Sequence, residues 1–162
     1  MARLIRHYPA SLDPGHAKAK SYRNALRTAV EAEHAASVRE LLRSPLHGFM
    51  NVTYLSDDLS SLHAASSSGS VRCLDMMLSM VSTADRAVFD VNVKTSDSWN
   101  FTPLMLAIVG GNYNCALRLA QDARVDVNAA SNHYLRTPLN AAQNLMSHPP
   151  DLVNLLLSRG AV

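Results

Sequence analysis

The segment FTPLMLAIVGGN (residues 101–112) carries a complete helix signal. Thr102 and Pro103 stand in the order that opens a helix: the hydroxyl accepts an unpaired backbone N–H, and proline in the first turn forfeits no donor. Leu104 and Ala107 then share one face. Gly111 stands where so short a helix must stop, because glycine accepts the left-handed conformation of a helix end. A second apolar run continues to Leu119, and Val127-Asn128-Ala129 follows. The stretch predicts two short antiparallel helices and an extended, turn-rich loop.

The same order recurs on both sides. RTPLNAAQ (136–143) leads to a run at 152–157 and Gly160-Ala161; SSLHAASSSGS (60–70) leads to Val71, Leu74, Met77 and Leu78 and then Val91-Asn92-Val93. A weaker copy opens at Asn24 and passes through Val38, Leu41 and Leu42 to Met50-Asn51-Val52. The anchoring leucines, Leu26, Leu62, Leu104 and Leu139, are 36, 42 and 35 residues apart. An asparagine precedes each of the last three at a steadier distance: Asn51, Asn92 and Asn128 lie 11, 12 and 11 residues before Leu62, Leu104 and Leu139. The offset holds while the period stretches, so the extra residues fall after the second run, the longest insertion around residues 79–89. Units of this kind cannot bury an apolar face alone and must stack on copies of themselves.

The pattern resembles the ankyrin repeat, with its T-P-L-H-x-A helix start, medial glycine, Leu-Leu second helix and V-N-A return. The likeness covers roughly residues 20–162 and implies an all-α solenoid of stacked helix-turn-helix units with projecting hairpin loops. The units run approximately 20–53, 54–94, 95–130 and 131–162, the first and last degenerate, behind an N-terminal capping segment at 1–19 holding Leu4, Ile5, Tyr8 and Leu12. Copy one lacks Thr, Pro and the medial glycine. Copy four carries Met146 and a His148-Pro149-Pro150 insertion where a plain turn is expected. His63 falls at the family's structural histidine, which bonds to loop backbone.

Composition agrees with one compact domain. The 162 residues are 48% hydrophobic and 17% charged, enough to build a core and too little charge for disorder. The net charge of +2 excludes strong charge-driven binding by the chain as a whole, although residues 1–43 hold eight basic and four acidic side chains. No apolar run approaches the ~20 residues of a membrane span. Two cysteines, Cys73 and Cys115, without C-x-x-C pairing favour a reducing, cytoplasmic setting and the role of small buried hydrophobes. The histidines lack metal-ligand spacing, Ser66–Ser70 is no nucleophile elbow, and Gly110-Gly111-Asn112 lacks the lysine of a phosphate loop. We expect no enzyme, no cofactor and no metal.

What remains is a surface. The resemblance places Ser98, Trp99 and Phe101 on one projecting loop tip, with Asn100 at the left-handed position. It places His133, Tyr134 and Arg136 in the same places on the next tip. Trp, Tyr and Arg dominate binding hot spots; Trp99 serves either as such a contact or as local core over a neighbouring loop. The groove-facing positions implied are Glu31, Ala32, Ser67, Ser68, Val109, Gly110, Asn144 and Leu145. The expected function is non-catalytic recognition of another protein through groove and loop tips, as an adaptor or as an inhibitor or immunity-type regulator. A monomer is expected, with self-association through the C-terminal end as the other arrangement. Two alternatives stand beside it: weak nucleic-acid binding through Lys18, Lys20, Arg23 and Arg27, and a secreted effector that mimics a host repeat protein.

Overall fold

Helices of seven to ten residues are too short to persist in water by propensity, so this chain holds them by packing one against the next. The computed structural model describes residues 17–44, 59–80, 90–144 and 149–162. Among these it is all-helical, with no strand: α1 (Ala17–Glu31), α2 (Ala35–Arg43), α3 (Ser61–Ser68), α4 (Val71–Met80), α5 (Pro103–Val109), α6 (Tyr113–Gln121), α7 (Pro138–Asn144) and α8 (Pro150–Ser158). Each odd helix packs on the even helix that follows it. The odd helices also form a row, α1 on α3 on α5 on α7, and the even helices a second row, α2 on α4 on α6 on α8. Among the described residues no helix is long and apolar enough to cross a membrane.

The core lies between the rows. The four anchors Leu26, Leu62, Leu104 and Leu139 are all buried, as are Ala65, Ala107 and Ala142 three residues beyond the last three of them. Val38, Leu42, Leu74, Met77, Leu119, Leu152 and Leu156 close it from the even row. Cys73 and Cys115 are buried free thiols within it. Burial pushes the Cys115 thiol up to about 11. Of the consecutive leucines in α8, Leu156 is buried and Leu157 is half exposed. The expected capping segment lies outside the described residues up to residue 16, and 17–19 belong to α1. Asn51, Leu145 and Met146, and the insertion at 79–89 beyond Met80 also lie outside them.

Helix starts follow the capping chemistry read from the sequence. Thr102 and Thr137 hydroxyls accept the N–H groups of Met105 and Asn140, each at 3.3 Å. Ser60 takes the same position ahead of α3 and builds a capping box with His63. The ends of α1, α3, α5 and α8 share a left-handed closure. Gly111 (φ 73°) donates to the Ile108 carbonyl and Asn112 to that of Ala107. In copy one, Glu33 (φ 52°) stands in the glycine's place, with the same pair of bonds to Val30 and from His34 to Ala29.

Two glycines differ in what surrounds them. A Cβ on Gly69 (φ 77°) would lie 2.8 Å from Oδ1 of Asn112, whose amide bonds the Ser66 and Ser67 carbonyls, whereas one on Gly111 would meet open space. Gly111→Ala is therefore expected to cost about 1 kcal/mol from backbone strain alone. Gly69→Ala adds displacement of Asn112 and should cost roughly 1–2 kcal/mol more. Denaturant melts of the two variants check the difference; equal losses would mean that the Asn112 clamp contributes nothing.

Two of the marker asparagines, Asn92 and Asn128, join neighbouring loops. Asn92 Nδ2 donates to the Arg124 carbonyl (3.0 Å), and its Oδ1 accepts the Asp126 N–H (2.7 Å). Asn128 repeats this with the Gly160 carbonyl (3.0 Å) and the Val162 N–H (2.9 Å). The partners stand the same number of residues ahead in both cases. A primary amide is suited to the task because one end donates while the other accepts.

Candidate interaction surface

The loops that lead into α5 and α7 are fixed by hydrogen bonds within themselves. In the first, the Asp97 carboxylate accepts from Thr95 Oγ1 (2.6 Å) and from the N–H groups of Trp99 (3.0 Å) and Asn100 (3.1 Å). Thr95 closes the loop: its N–H donates to the Phe101 carbonyl at 2.8 Å, and its hydroxyl accepts the Phe101 N–H at 2.9 Å. Asn100 is left-handed (φ 53°), as its place in the loop requires. The turn directs Trp99 outward, where it is 47% exposed.

Phe101 does not project, contrary to the expectation from the resemblance. It is buried in the core and lies beneath Trp99, the two rings stacked with centroids 6.3 Å apart. Its carbonyl also accepts His63 Nε2–H at 3.0 Å. His63 is fully buried, and Nδ1 accepts the Ser60 N–H at 3.2 Å. The two bonds fix the neutral Nε2–H tautomer. Loss of solvent on burial holds its pKa below the ordinary 6.5 against the opposing pull of the Phe101 and Val93 carbonyls and Asp97. His63 thus ties α3 to the base of the next loop.

The second loop is one residue shorter, so the side-by-side alignment of the tips needs correction. Ser131 N–H donates to the Arg136 carbonyl at 2.8 Å, five residues on, where Thr95 reaches six. Counted from those closures, His133 stands level with Asp97 rather than Ser98. It does Asp97's work, Nδ1 accepting the Leu135 N–H at 3.3 Å. The left-handed residue is Arg136 (φ 40°), and Leu135 is the one turned into the core. The 12- and 11-residue spacings from asparagine to leucine already recorded that deletion. Tyr134 projects and is 79% exposed.

The tips are joined: the Asn132 N–H donates to the Trp99 carbonyl (2.9 Å) and its Nδ2 to that of Ser98 (3.0 Å). Lys94 Nζ bonds the Ala130 carbonyl at 2.8 Å. The result is a ridge of rings. His133 lies 5.1 Å from Trp99, edge to face, and 5.4 Å from Phe101, with Tyr134 tilted against it at 4.1 Å.

Ser67, Ser68, Val109 and Asn144 are not part of this ridge. They sit in the last turns of α3, α5 and α7, a helix length (~10 Å) from the loop end. Ser67, Ser68 and Asn144 are exposed and Val109 is half-buried. The serine hydroxyls bond back to the Ala64 and Ala65 carbonyls, and the Asn144 amide to that of Asn140. Of the basic residues near the N-terminus, Arg23 is buried and Arg27 lies 3.7 Å from Glu31. A hollow of about 660 Å³ lies between α1 and α2, lined by Asn24, Thr28, Ser37 and Leu41 among others and by Ala32, one of the groove positions the resemblance implies. Among the described residues no cluster of His, Cys, Asp and Glu could hold a metal ion.

Comparison with protein-family models and with curated proteins returned no match.

Proposed function

We propose that the chain is an ankyrin-repeat protein of about four units that binds another protein through its loop tips and performs no chemistry of its own. The carrying observation is the ridge of Trp99, His133 and Tyr134, its two outer rings exposed, on loops that close on themselves at Thr95 and Ser131. Rigid aromatic side chains on a fixed backbone lose little entropy on binding, and their broad faces gain much from burial. The repeat reading draws support from the equal geometry of the Asn92 and Asn128 bridges and from the twin rows of helices. Two buried free thiols suit a reducing, cytoplasmic setting.

Affinity capture with the wild-type chain beside a Trp99→Ala, Tyr134→Ala double variant tests this. Proteins retained by the wild type are expected to be lost from the variant. Tyr134→Ala alone should leave stability within about 0.5 kcal/mol, as a surface substitution does. Equal capture by both chains would remove the loop tips from the binding surface.

A further inference from the structure

We infer that the aromatic ridge takes a proline-rich segment in the polyproline II conformation, a reading that rests on the loop tips being the binding surface. The modes by which a surface can hold a peptide are few, and the loops exclude two of them. An added β-strand needs free main-chain groups, but the N–H groups of Thr95, Trp99, Phe101, Ser131, Leu135 and Arg136 are all bonded within the loops. An amphipathic helix needs a broad apolar trough. The helix positions behind the ridge instead present Ser67, Ser68 and Asn144, exposed and polar.

A methylated ammonium, the other ligand aromatic residues favour, needs several ring faces closed around it. His133 lies against both Trp99 and Phe101, so the rings form one continuous surface and enclose no cation-sized hollow. A polyproline helix is neutral and stiff, and its carbonyls have no internal partners. The ridge supplies their complement. Neither the Trp99 indole N–H nor the Tyr134 hydroxyl has a hydrogen-bond partner among the described residues, while their faces stand ready to pack on pyrrolidine rings. Spacing agrees as well: one polyproline turn of three residues advances about 9 Å. The ring-to-ring steps of 5.1 and 4.1 Å along Trp99, His133 and Tyr134 together cover no more than that turn.

Trp99 is the one tryptophan in the chain, so its emission reports directly on the ridge. The full chain is titrated with an oligomer of about ten prolines, with a Gly/Ser peptide of equal length, and with a peptide carrying trimethyllysine. The proline oligomer alone should give a saturable change, half-complete near ~1 mM or below, as befits a single short motif. Tyr134→Ala, which keeps the reporter, should weaken it about tenfold at an unchanged melting temperature. No saturable change with the proline oligomer, an equal response to Gly/Ser, or preference for trimethyllysine would each overturn the inference. Run beside the capture experiment, the two failures separate. Ring-dependent capture with a silent proline oligomer removes only the polyproline ligand, whereas ring-independent capture removes the loop-tip surface itself.

Discussion

Replacing His63 with leucine should destabilise the chain by roughly 2–4 kcal/mol, although the two side chains are similar in volume. The site is fully buried, and the imidazole satisfies the Ser60 N–H at 3.2 Å while donating to the Phe101 carbonyl at 3.0 Å. Leucine leaves the first group without a partner and unlinks α3 from the following loop. Urea melts measure the loss; a change below about 1 kcal/mol would mean that neither bond contributes to stability.

The pH dependence provides a second reading of the same residue. Burial lowers the folded-state pKa of His63 from the ordinary 6.5, so in acid the unfolded chain takes up the proton first. Stability is then fully present above about 6.5 and falls with pH from there down to the folded pKa. Asp122 acts in a different window. Its hydrogen bond with Arg124 lowers its carboxyl from 3.8, so its contribution disappears only in stronger acid. Wild-type melts between pH 7 and about 5 should therefore show a slope that His63→Gln lacks. Parallel curves would assign the slope elsewhere.

The second large effect is expected at Arg159. Its guanidinium reaches back to the end of α6 and donates to the carbonyls of Ala120 (2.9 Å), Asp122 (3.0 Å), Ala123 (3.4 Å) and Val125 (3.0 Å). Ala120 stands in the last turn of α6, whose carbonyls the helix leaves without a partner, and the other three follow in the loop; a cation there also complements the helix dipole. Arg124 makes a lighter version of the contact one unit earlier, bonding the Leu78 carbonyl at 3.0 Å while paired with Asp122. Arg159→Met should cost about 2–3 kcal/mol, since it removes several charge-assisted bonds at once. Arg159→Lys should restore only part, because a single ammonium cannot reproduce the fork. Hydrogen exchange would locate the loss: amides of α7 and α8 should open well before those of α3. Uniform acceleration through the chain would refute this local role.

Much of this was legible in the order of residues. Leucine, alanine and glycine at fixed offsets encode which face is buried and where the chain reverses, and the four anchors, Gly69 and Gly111 stand as read. Asn100 is left-handed because only a small polar side chain with local bonds takes that place easily. The tips were read less well. Aligning them on Thr102 and Thr137 hides a deletion upstream of those threonines, and so gave Phe101 and Arg136 equal roles. Their opposite fates follow from where the loop closes, at Thr95 and at Ser131. Arg159 carried no local signal, because its acceptors lie 34–39 residues back and converge only after the helices stack.

The asparagines at 92 and 128 grip only peptide groups of the adjoining unit, an acceptor and a donor that nearly every residue type supplies. That seam is blind to side-chain identity on the far side. A unit bounded by two such asparagines therefore keeps both of these joins whatever side chains its neighbour carries there.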